Sequence, residues 1–209
     1  MHSVVIVDDH PAIRLAVRSV LEANGRLSVA GEAENGPSAI TVVRESRPDL
    51  VILDLDLPRM NGLELIERLR SIDPALKLLV LSAQQESIFA TRALQAGANG
   101  FLSKSEDMGA IVQASTAVLA GYSVFPSSAL TSFSGSPGTS TAALIRSLSD
   151  RELTVMQHLA RGQSNKEIAE TLLISNKTVS SYKARIFEKL GISTLVQLVD
   201  IARANELVT

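Results

Sequence analysis

Short, unbroken aliphatic runs that stop at polar residues constrain this chain more than any other feature. Ser3-Val4-Val5-Ile6-Val7 stops at Asp8-Asp9, Leu50-Val51-Ile52-Leu53 at Asp54, and Leu78-Leu79-Val80-Leu81 at Ser82. Weaker runs fit strands at Ser28–Ala33 and Gly100–Ser103, the last followed by Lys104. A strand that is apolar at every position is covered on both faces, as in parallel sheets flanked by helices. Amphipathic stretches lie between the runs, at Pro11–Asn24, Pro37–Arg47, Gly62–Ile72, Glu86–Ala96 and Met108–Ala120. In the first of them Ile13, Val17, Val20 and Leu21 share one helical face. The alternation predicts an α/β domain: a doubly wound, five-stranded parallel sheet with right-handed crossovers.

The pattern changes after residue 125. Residues 126–143, PSSALTSFSGSPGTSTAA, carry no charge and are dense in Ser, Thr, Gly and Pro, a linker composition. Beyond it no strand pattern occurs. Four short helices are expected at Asp150–Arg161, Asn165–Leu172, Lys177–Leu190 and Thr194–Asn205. Ser149 with Glu152 forms a capping-box pattern, Ser164 and Ser175 are N-terminal signals, and Gly162 and Gly191 are stops. The expected organisation is an α/β domain over 1–125, a flexible linker over 126–145 and an all-α domain over 146–209. The net charge of −2 is split between them: 11 Lys and Arg against 15 Asp and Glu in 1–125, but 9 against 7 in 144–209. Only the C-terminal part leans toward a polyanionic partner.

Composition removes several function classes. The 209 residues include no Cys and three His, so disulfide scaffolds, thiolate zinc sites and Cys nucleophiles are excluded. No apolar run approaches the roughly 20 residues of a membrane span. No secretory leader is evident, so the cytoplasm is the expected compartment and no membrane partner is expected. In an open parallel sheet, ligands bind beyond the carboxyl ends of the strands. Asp8, Asp9, Asp54, Ser82 and Lys104 all fall at such ends. Clustered carboxylates favour a hard divalent cation, with Mg²⁺ the expected cofactor. Lys104 adds a point charge for a phosphoryl group and Ser82 a hydroxyl donor. The set suits phosphoryl transfer onto a carboxylate.

Val-Asp-Asp-His-Pro (7–11), Leu-Asp-Leu-Asp-Leu-Pro-Arg-Met-Asn-Gly (53–62), Val-Leu-Ser-Ala (80–83) and Ala-Gly-Ala-Asn-Gly-Phe-Leu-Ser-Lys (96–104) resemble bacterial response-regulator receiver domains over about residues 3–122. The resemblance implies a flavodoxin-like fold in which Asp54 accepts a phosphoryl group from a sensor histidine kinase or phosphotransfer protein. It also implies that Asp8, Asp9 and the backbone carbonyl of Asp56 help Asp54 hold Mg²⁺. Ser82 and Phe101 would report phosphorylation, and Lys104 would contact the phosphoryl oxygens. Ser105 follows Lys104 where many receivers carry Pro. Gly62 is expected to relieve a turn needing positive φ. A rival enzyme reading rests on Asp54-Leu-Asp56, similar to the DxD of dehalogenase-type phosphatases. Here the pattern lies on the third strand, Pro58 follows it, and the chain has no room for a cap domain.

The segment 177–190 displays Lys177, Lys183, Arg185 and Lys189 with Thr178, Ser180, Ser181 and Tyr182, and Glu188 is its one acidic residue. Cationic heads suit phosphates, and short polar groups suit base edges. A solvated face, or a surface for protein or RNA, is the competing reading. Leu148–Val155, Gly162–Ala169 and Ile174–Val179, through Lys189-Leu190-Gly191, resemble the LuxR-type helix-turn-helix. The whole chain is similar to NarL/FixJ-family regulators, and 125–128 with 176–185 is similar to their BvgA/EvgA branch. The resemblance implies a non-enzymatic, phosphorylation-controlled regulator of transcription that binds double-stranded DNA, contacting it through Lys177, Thr178, Ser181, Tyr182, Lys183 and Arg185. It further implies a homodimer in the active state, with Leu195, Leu198 and Val199 on the interface.

Overall fold

A computed structural model describes residues 1–84, 86–127, 129, 141–205 and 207–208. The chain divides into two compact units, Met1–Phe133 and Ser134–Thr209. Of the expected linker, residues 128 and 130–140 lie outside the described residues. No helix among the described residues is long and apolar enough to cross a membrane.

The first unit alternates β1 (His2–Val7), α1 (Pro11–Ala23), β2 (Leu27–Ala33), α2 (Gly36–Ser46), β3 (Leu50–Leu53), α3 (Gly62–Ile72), β4 (Lys77–Ser82), α4 (Glu86–Ala96), β5 (Gly100–Ser103) and α5 (Met108–Leu119). Every adjacent pair of strands is parallel, in the order β2-β1-β3-β4-β5. Alternation assigns the two faces. Val4, Ile6, Leu50, Ile52, Leu79 and Leu81 join Val17 and Leu21 of α1 and Ile111, Ala114 and Val118 of α5 in one buried cluster. Val5, Val7, Val51, Leu53, Leu78 and Val80 point the other way and are equally buried. Both faces are thus apolar, which is why these strands read as continuous aliphatic runs. The strand order reverses between β1 and β3, so a crevice opens where Asp8 and Asp54 leave their strands.

The second unit holds α6 (Thr141–Arg146), α7 (Asp150–Ala160), α8 (Asn165–Leu172), α9 (Asn176–Leu190) and α10 (Leu195–Ala204). The four expected helices are present. The additional α6 falls where a flexible linker to residue 145 was expected, and it buries Ile145 completely. Its Thr-Ala-Ala start continues the Ser/Thr-rich composition before it, which hid the helix. Capping boxes start α7 (Ser149, Glu152), α8 (Ser164, Glu167) and α10 (Thr194, Gln197). Gly191 ends α9 at φ 65°, a left-handed conformation that suits glycine.

Candidate functional site

Asp8 and Asp54 are held by the sheet that ends beneath them. The Asp8 amide donates to the Ala33 carbonyl at 3.1 Å and the Asp54 amide to the Val7 carbonyl at 2.8 Å. Both residues are buried, at 3% and 4% exposure. Lys104 enters from the end of β5, its amide donating to the Ser82 carbonyl at 2.9 Å. Its Nζ lies 2.6 Å from Asp8 Oδ2 and 2.7 Å from Asp54 Oδ2, bridging the two carboxylates. Asp54 Oδ1 accepts from the Leu55 amide at 2.6 Å, and the Asp56 amide also bonds the Asp54 carboxylate.

Electrostatics in this crevice oppose one another. Burial pushes the Asp54 carboxyl above its ordinary range, and Asp8 adds to the rise, against the downward pull of Lys104 and the Asp56 amide. Burial also pulls Lys104 down, but Asp54 and Asp8 together raise it above its ordinary value. The pocket therefore holds its cation firmly and one of its anions under strain.

Asp9 completes the acidic set. Ligand atoms of Asp8, Asp9, His10 and Asp54 all lie within 4.8 Å of one another. Asp9 Oδ1 is a buried oxygen with no hydrogen bond. Three carboxylates against one ammonium leave an excess of two negative charges, the charge a divalent cation cancels. Oxygen donors, charge and an unsatisfied oxygen all fit a hard dication. The Asp56 side chain is exposed and lies outside this group.

Ser82 is fully buried at the end of β4, its Oγ accepting from the Gln84 amide at 3.2 Å. Phe101 is buried on β5 beside it, paired with Val80. The Ser105 amide donates to Ser103 Oγ at 3.2 Å, a bond that Pro at this position could not make.

The Gly62 expectation is corrected. Gly62 is not among the positive-φ glycines, and Arg59 takes the left-handed conformation of this loop at φ 70°. Close approach explains the glycine instead. A Cβ on it would lie 2.5 Å from Leu55 Cα and 2.6 Å from the Asp54 carbonyl oxygen, backbone atoms of the loop that follows β3.

Two positioning contacts had no sequence signal. Arg14 Nη1 donates to the Asp8 carbonyl at 2.6 Å, while its Nε donates to Glu32 at 3.1 Å. This ties the β1–α1 loop to β2 through a register that one sequence does not disclose. His10 follows the two Asp residues directly, yet its Nδ1 approach to both became visible only in three dimensions.

In the second unit, Ile168, Ala169 and Leu172 of α8 and Val179, Ile186 and Leu190 of α9 are buried, as the helix-turn-helix pattern requires. Ser175 caps α9 by accepting from the Thr178 amide at 3.0 Å. Lys177, Ser181 and Arg185, spaced by four along α9, are exposed on one line. Thr178 and Tyr182 flank it, half-buried. Lys183 lies off this line, half-buried, with Nζ 5.6 Å from the Phe187 ring centre. Lys189 was expected among the displayed cations. It is exposed, and its Nζ also lies 2.6 Å from buried Glu152, tying the end of α9 to the start of α7. Burial pushes the Glu152 carboxyl up, but Lys189 and the Ser149 amide hold it below its ordinary value.

Leu198 is corrected as an interface residue, since it is fully buried within its own unit and offers no surface. The apolar surface of α10 is Leu195 and Val196, at 40% and 69% exposure, beside half-buried Val199.

Comparison with known proteins agrees with both halves. The response regulator receiver domain family matches residues 4–116, and the luxR family of bacterial regulatory proteins matches residues 146–202. BvgA of Bordetella pertussis is 46% identical over 207 residues, covering 99% of each chain. The DNA-binding transcriptional activator EvgA of Escherichia coli K12 is 39% identical over 203 residues, covering 97% of this chain and 98% of EvgA. The RcsB response regulator of Salmonella typhimurium superimposes with a TM-score of 0.78 at 26% identity over 98% of both chains. RcsB of Salmonella enterica serovar Typhimurium, solved on a promoter with the phosphomimetic BeF₃⁻, gives 0.73 at 27% identity, covering 97% of this chain and 98% of that one. The chain belongs to the two-component response regulators of the NarL/FixJ family, a receiver domain joined to a LuxR-type DNA-binding domain.

Proposed function

We propose that Asp54 is the phosphoryl acceptor and that its modification controls dimerisation and promoter binding by the second unit. The observation that carries this reading is the Lys104 ammonium bridging buried Asp8 and Asp54 at the switch point of the sheet. An Asp54 oxygen attacks the donor phosphorus. The bond from phosphorus to the leaving histidine nitrogen of a kinase or phosphotransfer protein, or to a small donor such as acetyl phosphate, breaks. Asp8, Asp9, Asp54 and the Asp56 backbone carbonyl would hold Mg²⁺, which would neutralise charge on the phosphoryl oxygens. Lys104 follows the new phosphoryl oxygens, loosening its hold on Asp8. Ser82 donates its hydroxyl to the phosphoryl group, and Phe101 repacks beside it. That pair biases a two-state receiver surface. The protein turns over no outside substrate in this account, and it works in the cytoplasm, where kinase and promoter are both found.

The proposed units are a receiver over 1–125, a connector over 126–145 whose last residues join α6, and a DNA-binding domain over 146–209. In the latter, α9 enters the major groove. Lys177 and Arg185 take phosphates, with Lys183 as a flanking contact, and Thr178, Ser181 and Tyr182 approach base edges. Leu195 and Val199 form the dimer contact while Leu198 supports it from the core. Two α9 helices then sit roughly 34 Å apart, about 10 base pairs.

Lys177→Ala combined with Arg185→Ala tests the interface. The slope of log affinity against log salt should shallow by about 2 per protomer, since each lost phosphate contact removes about 1. Fluorescence anisotropy on upstream DNA at several salt concentrations measures it. An unchanged slope would show that α9 does not touch phosphates.

A further inference from the structure

His10 is the one member of the acidic pocket that the proposed mechanism does not use. Its imidazole Nδ1 lies 2.7 Å from Asp9 Oδ1 and 3.3 Å from Asp8 Oδ1. Asp9 Oδ1 is buried and makes no hydrogen bond, so the imidazole nitrogen is the polar atom recorded nearest to it. Asp8 is fixed independently, its Oδ1 accepting from the His10 amide at 2.8 Å and its Oδ2 held by Lys104. The His10 backbone is therefore anchored to one carboxylate while its ring leans on two.

These separations have a simple chemical meaning. Ligand bonds of 2.0–2.1 Å in an octahedron put neighbouring donor atoms roughly 2.9 Å apart. The two separations from Nδ1, 2.7 Å to Asp9 Oδ1 and 3.3 Å to Asp8 Oδ1, fall on either side of that spacing. The side chain is about two-thirds exposed, at 66%, so an incoming ion can reach the ring from solvent.

We propose that His10 supplies a nitrogen ligand to the dication held by Asp8, Asp9 and Asp54, giving the pocket an intrinsic preference for first-row transition metals such as Co²⁺ over Mg²⁺. An all-oxygen site suits Mg²⁺, whereas an imidazole added to carboxylates favours the later first-row dications. Cellular abundance then decides which ion occupies the pocket, and His10 sets how readily the scarcer ions displace Mg²⁺. The inference rests on the reading of this pocket as a dication site and adds its selectivity.

The test uses the full chain. Dissociation constants for Mg²⁺ and Co²⁺ are measured by calorimetry for the wild type, His10→Ala, Asp9→Asn and His2→Ala. The last variant controls for the imidazole beside the chain's N-terminus. Visible absorption of the Co²⁺ form reports nitrogen ligation directly. The expected result is a ratio of Mg²⁺ to Co²⁺ dissociation constants that falls at least tenfold in His10→Ala, with a shifted Co²⁺ spectrum, and that His2→Ala leaves in place. A ratio and spectrum insensitive to His10, with Mg²⁺ binding still lost in Asp9→Asn, overturns the role of His10 and leaves the dication site standing. Mg²⁺ binding unaffected by Asp9→Asn overturns the site itself, and His10 with it.

Discussion

Asp54→Asn is expected to abolish labelling by acetyl phosphate and, at neutral pH, to make the receiver more stable than the wild type. The first effect follows from removing the attacking oxygen, and mass spectrometry of the intact chain should show a complete loss of the phosphoryl adduct. The second follows from burial. Asp54 is 4% exposed, and its carboxyl is raised above its ordinary value by desolvation, despite Lys104. A carboxyl raised on folding contributes its stability below the unfolded pKa and loses it as pH rises through the folded one. The ionised group is therefore a cost at neutral pH that the amide avoids, with a gain on the order of 1 kcal/mol, the size common for a single stabilising substitution. The gap should be largest near pH 7 and should close as pH falls through the raised carboxyl range toward pH 4. Labelling that persists in Asp54→Asn would place the phosphoryl group on another side chain. A variant less stable than the wild type at pH 7 would show that Lys104 outweighs burial.

Lys104→Met carries the larger stability effect, with the opposite sign. Lys104 Nζ contacts Asp8 and Asp54 at 2.6 and 2.7 Å, and its side chain is 13% exposed. Removing it leaves two adjacent buried carboxylates without their cation. Breaking a buried pair from one side costs about 3–5 kcal/mol, because the orphaned charge stays desolvated. For a domain of this size that is a fall in Tm of more than about 10 °C. Two conditions should restore the loss. Acid protonates the carboxylates, so the deficit shrinks below neutral pH. A divalent cation replaces the missing charge, so Mg²⁺ should raise the Tm of Lys104→Met more than that of the wild type. Thermal denaturation at pH 5 and pH 7, with and without Mg²⁺, measures all of this. A deficit under 1 kcal/mol at pH 7, or one indifferent to Mg²⁺, would mean that the three side chains are not electrostatically coupled.

Much of this was legible in one dimension because the receiver's constraints are local. An apolar strand covered on both faces reads as a continuous aliphatic run, and its end marks the ligand edge. Asp8, Asp54, Ser82 and Lys104 could thus be placed before any coordinate was known. What stayed hidden depends on packing between distant segments. Gly62 is required by the backbone of Leu55 and Asp54, a close approach no turn rule encodes. Arg14 reaches the Asp8 carbonyl while held by Glu32, which β1–β2 register brings alongside. Periodicity put Leu195, Leu198 and Val199 on one stripe, but it cannot say which edge of a stripe the domain's own core consumes. Leu198 proved to be that edge. Composition likewise cannot tell a fully solvated lysine from an exposed one that also pairs with buried Glu152, and Lys189 is of the second kind.

A phosphorylation switch requires energetic coupling between the acidic pocket and α9. Its direct measurement is the affinity of the full chain for its target DNA, with and without acetyl phosphate and Mg²⁺, in the wild type and in Asp54→Asn at one fixed salt concentration. A phosphorylation switch predicts wild-type binding that tightens by about 5–150-fold with the donor, the range of typical coupling free energies. It also predicts Asp54→Asn binding that does not respond. Equal affinities with and without a confirmed Asp54 adduct would contradict it.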